Sequence, residues 1–138
     1  MRSLIVLLIL SSGCAELMYR YDQTVATSAL GAMACRDALS EGNGVKIAAC
    51  GEVLKTGDRV AAQKCLDDWK GLYSKIETAC KGWKDGTKAA MSARPLVEAA
   101  ANKKKEVFGW IARLVKFGLD IAAIFTDAGL KFTPPGGT

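Results

Sequence analysis

The sequence predicts an all-α fold in which a disulfide-stapled helical hairpin is followed by a basic amphipathic C-terminal helix. Three observations support this fold class. Four cysteines recur at a constant step of fifteen residues, apolar residues recur at steps of three and four on both sides of a turn signal, and a second apolar segment with a narrow polar stripe follows. The 138 residues, half of them apolar, fit one domain with a modest core, to which disulfides would add stability.

The N-terminal residues predict an export signal. It begins with Arg2, continues with an apolar run from Leu4 to Leu10, and changes to small residues before Cys14. A positive start, a short apolar run and a small-residue site are typical of a cleaved signal peptide, here residues 1–13, because a membrane span needs about 20 apolar residues.

The end of this signal, Leu10-Ser11-Ser12-Gly13-Cys14, resembles the lipobox of bacterial lipoproteins, although Ser11 stands where that class usually has Leu. The resemblance implies that Cys14 is lipidated and becomes the mature N-terminus. Because Ala15 follows instead of aspartate, it also implies an outer-membrane location facing the periplasm. The alternative is ordinary cleavage after Ala15, which would give a secreted chain.

Two helices separated by a turn are predicted for residues 15–81. The turn falls at Lys55-Thr56-Gly57-Asp58, with Asp58 as the N-cap of the second helix. Gly42-Asn43-Gly44 is expected to interrupt the first helix. The apolar stripe of the first helix is Met18, Tyr21, Val25, Ser28, Ala32, Cys35 and Leu39, and that of the second is Ala62, Cys65, Trp69, Leu72, Ile76 and Ala79/Cys80.

The cysteine positions predict a nested pairing, Cys35 with Cys80 and Cys50 with Cys65, because both pairs are symmetric about the turn between Gly57 and Asp58. On one helix Cys65 and Cys80 would lie about 22 Å apart and could not bond. The remaining pairing would require the hairpin to slip by several turns. With no histidine and no closely spaced cysteines, neither a metal site nor a cofactor is predicted.

Further helical structure is predicted over residues 87–125, after a break at Gly82 to Gly86. Thr87 is a candidate N-cap, and Pro95 suits the first position of a further helix. The single helical domain would then cover residues 14–125. Residues 126–138, which include Pro134-Pro135-Gly136-Gly137, are predicted to be a flexible tail.

The last helix is predicted to dock on a membrane or a protein partner. Its narrow polar stripe, Lys105, Gly109, Arg113, Lys116 and Asp120, lies opposite a wide apolar face, and its charges disfavour a membrane span. Residues 81–116 contain nine basic and three acidic side chains. The alternative is that the helix packs on the hairpin as part of the core. The predicted docking residues are Lys103, Lys104, Lys105, Val107, Trp110, Ile111, Leu114, Phe117 and Phe125.

No catalytic constellation is evident, because a chain without histidine has no Ser-His or Cys-His pair and no phosphate-binding loop is present. We therefore expect a non-catalytic adaptor or accessory subunit of a membrane-associated assembly. Its partners would be membrane lipid, through acylation of Cys14, and an envelope protein, but not nucleic acid. The alternative is a membrane-active effector, such as a phage-type lysis or membrane-bridging protein or a secreted membrane-disrupting polypeptide.

Overall fold

Three helices make up the fold, as a computed structural model shows. It describes residues 2–132, with side chains from Ala15 onward. The helices are α1 (Arg2–Lys55), α2 (Arg59–Ala99) and α3 (Lys104–Asp127), which confirms the all-α prediction. The side chains of the predicted signal, residues 1–13, and of Cys14 lie outside the described set. Among the described residues, no helix is long and apolar enough to cross a membrane.

α1 and α2 form the predicted hairpin, and the turn lies where the sequence places it. Gly57 adopts a φ of +88°, a left-handed conformation that favours glycine. The Gly57 amide donates to the Leu54 carbonyl at 3.0 Å. The Asp58 carboxylate accepts from the Ala61 amide at 2.9 Å, so Asp58 is the N-cap of α2.

Both predicted disulfides are confirmed. Cys35 and Cys80 are bonded with their Cα atoms 5.7 Å apart, and Cys50 and Cys65 with theirs 5.6 Å apart. The two bonds are nested along the same pair of helices. They therefore fix the register of α1 against α2 at two heights.

α3 folds back along the hairpin and completes a three-helix core. Val107, near its start, packs in one cluster with Leu17 and Val97. Phe125, near its end, packs in another cluster with Cys35 and Leu39. These contacts show that α3 runs parallel to α1 and antiparallel to α2.

A hydrogen-bonded network lies inside this core and joins α1 to α2. The Trp83 indole donates to the Ser28 hydroxyl at 2.7 Å, and the Ser28 and Thr87 hydroxyls are 2.6 Å apart. The Tyr21 hydroxyl donates to the Ala90 carbonyl. All buried side-chain nitrogen and oxygen atoms of the described residues therefore have partners, as stable burial of polar groups requires.

The predicted interruption of the first helix at Gly42-Asn43-Gly44 is wrong, because α1 continues to Lys55. Tertiary contacts explain why this glycine-rich stretch stays helical. A Cβ on Gly42 would lie 2.7 Å from Leu130, so the missing side chain allows that approach. The Asn43 side chain accepts a hydrogen bond from the Trp69 indole at 2.9 Å. These contacts outweigh the low helix propensity of the stretch.

The predicted break at Gly82 to Gly86 is also wrong, because α2 is continuous from Arg59 to Ala99. Thr87 is not an N-cap: it is buried, and its hydroxyl donates to the Trp83 carbonyl at 2.8 Å. Pro95 lies inside α2 and does not begin a helix. The last turns of α2 are held instead by the Arg94 ion pair with Asp22 and by burial of Val97.

The predicted helical segment 87–125 is divided between two helices. Residues 100–103 form a turn between α2 and α3, in which the Lys103 amide donates to the Ala100 carbonyl at 2.8 Å. The turn reverses the chain direction. Only the part from Lys104 onward therefore belongs to the C-terminal helix.

The predicted tail also begins too early, because α3 ends at Asp127 in a Schellman motif and not at residue 125. Gly129 has a φ of +71°, and the Leu130 amide donates to the Phe125 carbonyl at 2.9 Å. The motif directs the chain back onto the bundle, where Phe132 stacks on Phe125 with ring centroids 4.9 Å apart. Residues 133–138 of the predicted tail lie outside the described residues.

Candidate docking surface on the third helix

α3 presents two apolar faces, and only one of them is buried. Val107, Leu114 and Phe125, all predicted docking residues, are at most 2% exposed. Val107 and Leu114 belong to one of the two clusters that join α3 to the hairpin, and Phe125 belongs to the other. These three residues are therefore core residues and are not available to a partner in this fold, which corrects their assignment as docking residues.

Three further predicted docking residues line the boundary of that core. Trp110 and Ile111 are partly buried against the cluster around Tyr21. Phe117 is partly buried against the cluster around the Cys35–Cys80 disulfide, and its ring contacts the helix backbone at Gly86, where an added Cβ would lie 2.8 Å from it. Most of the apolar residues predicted to dock therefore pack on the hairpin, as the alternative prediction for this helix has it.

The second apolar face consists of Phe108, Val115 and Leu119, which we call the α3 strip. Their exposed fractions are 48%, 49% and 65%. Because they follow one another at steps of seven and four residues, they share one side of the helix. They lie one residue away from the buried positions 107, 114 and 118, so the strip borders the packed face directly.

Positive side chains lie on the solvent side of this helix. The predicted docking residues Lys103, Lys104 and Lys105 are exposed at its start, and Lys116 is exposed within it. Among the described residues, none of these lysines lies within 4.0 Å of a carboxylate. The Arg113 guanidinium lies 5.0 Å from the centroid of the Trp110 ring, a cation–π distance. The exposed surface of α3 is therefore apolar and cationic.

The start of the strip lies beside the first residues of α1 whose side chains are described. Phe108 and Lys104 line a shallow depression together with Glu16, Leu17 and Arg20. Glu16 and Arg20 form an exposed ion pair at 3.2 Å.

An ion pair between Arg94 and Asp22 joins α1 to α2. The Arg94 guanidinium donates to both carboxylate oxygens of Asp22 at 2.8 Å, which lowers the pKa of Asp22. Burial raises the pKa of the neighbouring Tyr21 hydroxyl, and the negative charge of Asp22 raises it further. Both shifts favour the charge states that hold the helices together.

No metal site emerges from the described residues. They contain no group of three or more cysteine, aspartate or glutamate side chains placed to hold a metal ion. Of the five cysteines, four are consumed in disulfides, and the fifth is Cys14, whose side chain is not described.

Comparison with protein-family models, curated proteins and solved structures gives no match to this chain. Its function must therefore be inferred from its own residues and their geometry.

The α3 strip is the feature that the sequence prediction missed. The sequence shows an apolar face covering most of the circumference of α3, but it does not show which side of that face meets the hairpin. Positions 107, 114, 121 and 125 and positions 108, 115 and 119 have nearly the same spacing. The hairpin register, which the disulfides fix, selects the first set for burial.

Proposed function

We propose that the chain is a small exported envelope lipoprotein, anchored through Cys14, that acts by binding as an adaptor or accessory subunit of a membrane-associated assembly. The observation that carries the proposal is the α3 strip, three large apolar side chains left exposed on a bundle with two disulfides. Exposed apolar side chains that line one side of a helix are a feature of interaction surfaces. The disulfides are compatible with an exported protein.

The proposed arrangement places the anchor and the start of the α3 strip at the same end of the bundle. Lipid on Cys14 would hold the start of α1 at the membrane, and the α3 strip begins beside that part of α1. A partner at the membrane surface could then contact the strip along the length of α3. The lysines near the strip favour a partner with negative charge at its rim.

The test is capture of a partner from the bacterial envelope by the tagged, oxidised protein in mild detergent. The variant Phe108→Ser/Val115→Ser/Leu119→Ser removes the strip, and the matched variant Met33→Ser/Leu66→Ser/Leu72→Ser removes three other exposed apolar side chains. We expect a discrete complex with the unchanged protein and the matched variant, but not with the strip variant. Equal capture by all three proteins would contradict the proposal.

A second candidate, a membrane-active effector, is favoured by the lysines on the same exposed surface as the strip. A cationic helix with exposed Phe108, Val115 and Leu119 has the composition of a helix that lies in an anionic membrane surface. The oxidised protein would then release dye from phosphatidylglycerol vesicles, and the strip variant would not. Absence of dye release by the unchanged protein would eliminate this candidate.

A further inference from the structure

A groove between α1 and α2 opens on the side of the hairpin away from α3. Its volume is about 490 Å³, within the range of small-molecule sites. Lys84, one of its lining residues, is two positions from both Gly82 and Gly86, whose Cβ directions point to Phe117 of α3. Two positions rotate a helix by about 200°, so Lys84 points away from α3. The lining residues are Ala32, Arg36, Leu39, Ser40, Tyr73, Glu77, Cys80, Lys81 and Lys84.

The rim of the groove carries an excess of positive charge. Arg36, Lys81 and Lys84 face one acidic side chain, Glu77, which leaves a formal excess of two positive charges. Among the described residues, none of the three cations lies within 4.0 Å of a carboxylate, whereas Arg94, on the same helix as two of them, pairs with both Asp22 and Glu98. Three like charges around one groove repel each other, and an anion bound between them would relieve that repulsion.

The floor of the groove is apolar and rigid. Ala32, Leu39 and Cys80 are 6%, 4% and 3% exposed, and the partly buried Tyr73 ring forms one wall. Cys80 is disulfide-bonded to Cys35 of the opposite helix, so a covalent bond fixes the two walls at the height of the groove. A preformed site loses little conformational entropy when a ligand binds.

From this combination we propose that the groove binds a small amphiphilic anion. The carboxylate or phosphate head group would lie among Arg36, Lys81 and Lys84, and the Arg36 guanidinium offers a planar fork that suits either group. The apolar part of the ligand would cover Leu39 and the Tyr73 ring. This site uses no residue of the α3 strip, so it stands independently of the proposed function.

Isothermal titration calorimetry of the oxidised, full-length protein tests the proposal. The probes are dodecyl phosphate and dodecanoate, both kept below their micelle concentrations, and a neutral dodecyl glycoside serves as the control ligand. We expect one anion per chain and tighter binding of the anions than of the glycoside. Whichever of phosphate and carboxylate binds more tightly identifies the head-group class. Binding of all three ligands with equal affinity, or binding of none, would overturn the proposal.

Three variants distinguish binding in the groove from an effect of general charge and from binding at the α3 strip. Arg36→Gln/Lys84→Gln changes the net charge as much as Lys105→Gln/Lys116→Gln does, and all four side chains are exposed, so both variants should fold. We expect the first variant to weaken anion binding at least tenfold and the second to change Kd less than twofold. Val115→Ser/Leu119→Ser should also preserve binding. Equal weakening by the two charge variants, or loss of binding in the strip variant, would contradict a site in the groove.

Discussion

The three-helix region and the hairpin end, residues 43–68, differ in what lies between their helices. In the three-helix region, α1 and α2 share a core with α3 that includes Tyr21, Ile76 and Phe125, each at most 1% exposed. In the hairpin end, only Cys50 and Ala62 are buried. The last described residues reach the bundle beside Gly42 and Val45, at the border of the hairpin end.

Because of this difference, the two disulfides stabilise the hairpin in different ways. Cys35–Cys80 lies within an apolar core that also holds α1 and α2 together. Cys50–Cys65 lies where two helices without a third cannot bury much apolar surface, and there the covalent bond replaces the missing core. The Trp69 indole bond to Asn43 marks the border between the two regions.

Removal of either disulfide is expected to have the largest effect on the free energy of unfolding. Because it closes a longer loop, Cys35→Ala/Cys80→Ala should lower the free energy of unfolding by about 4 kcal/mol, and Cys50→Ala/Cys65→Ala by about 3 kcal/mol. The sequence separations are 45 and 15 residues. Urea unfolding followed by circular dichroism measures both losses.

Hydrogen exchange on the same variants tests the regional assignment. Loss of Cys50–Cys65 should increase exchange in the hairpin end while the three-helix region stays protected. If loss of Cys50–Cys65 increased amide exchange around Tyr21 and Phe125 as much as in the hairpin end, the two regions would form one cooperative unit. That result would contradict a difference in stability between them.

A pair of glycine substitutions is expected to have effects of opposite sign in the two regions. In the three-helix region, a Cβ on Gly31 would overlap the Trp83 ring, so Gly31→Ala should lower the free energy of unfolding by about 1–3 kcal/mol. In the hairpin end, a Cβ on Gly51 would meet nothing within 4 Å. Gly51→Ala should therefore raise the free energy of unfolding by about 0.5–1 kcal/mol, because alanine has a higher helix propensity than glycine. Thermal unfolding of both variants checks these signs, and equal signs would contradict the packing difference.

The smallest expected effect concerns the Asp22–Arg94 ion pair, which joins α1 to α2 far from the hairpin turn. The folded-state pKa of Asp22 lies below its ordinary value of 3.8. The pair therefore contributes stability above that pH, and the contribution is lost as pH falls through the lower, folded-state pKa. Both side chains are nearly half exposed, so solvent screening limits the contribution to less than about 1 kcal/mol.

The variant Asp22→Asn measures this contribution. Relative to the unchanged protein, its loss of stability should be present at pH 7 and disappear at low pH. Asp37→Asn is the control, because Asp37 is exposed and makes no ion pair among the described residues. A loss at pH 7 that persisted unchanged at pH 2 would indicate that Asp22 acts through packing and not through its charge.

The hairpin and its disulfides could be predicted from sequence because local signals and cysteine positions agree. Gly57 and Asp58 define a turn, and the cysteine pairs are symmetric about it. The continuity of α1 at Gly42 and of α2 at Gly86 could not be predicted, because those glycines admit Leu130 and Phe117 from distant parts of the chain. Local propensity predicts a break at such residues, and only the tertiary contact explains its absence.

The exposed part of the candidate site could not be predicted for a related reason. The sequence identifies α3 as an apolar helix with lysines at its start. Whether Val107 or Phe108 faces solvent depends on the rotation of α3 about its own axis, which packing on the hairpin decides. The groove could not be predicted from the sequence either, because Arg36 and Lys84 are 48 positions apart. They line the same groove only in the register of α1 against α2 that the disulfides fix.

The most direct test of an exported, lipid-anchored protein is an intact mass spectrum of the protein recovered from a bacterial envelope fraction, with and without reduction before thiol alkylation. We expect a chain that begins at Cys14 and carries an acyl modification there. Four thiols, those of Cys35, Cys50, Cys65 and Cys80, should become alkylatable only after reduction. A chain that retains residues 1–13, or that is alkylated without reduction, would contradict the account of an exported, disulfide-bonded lipoprotein.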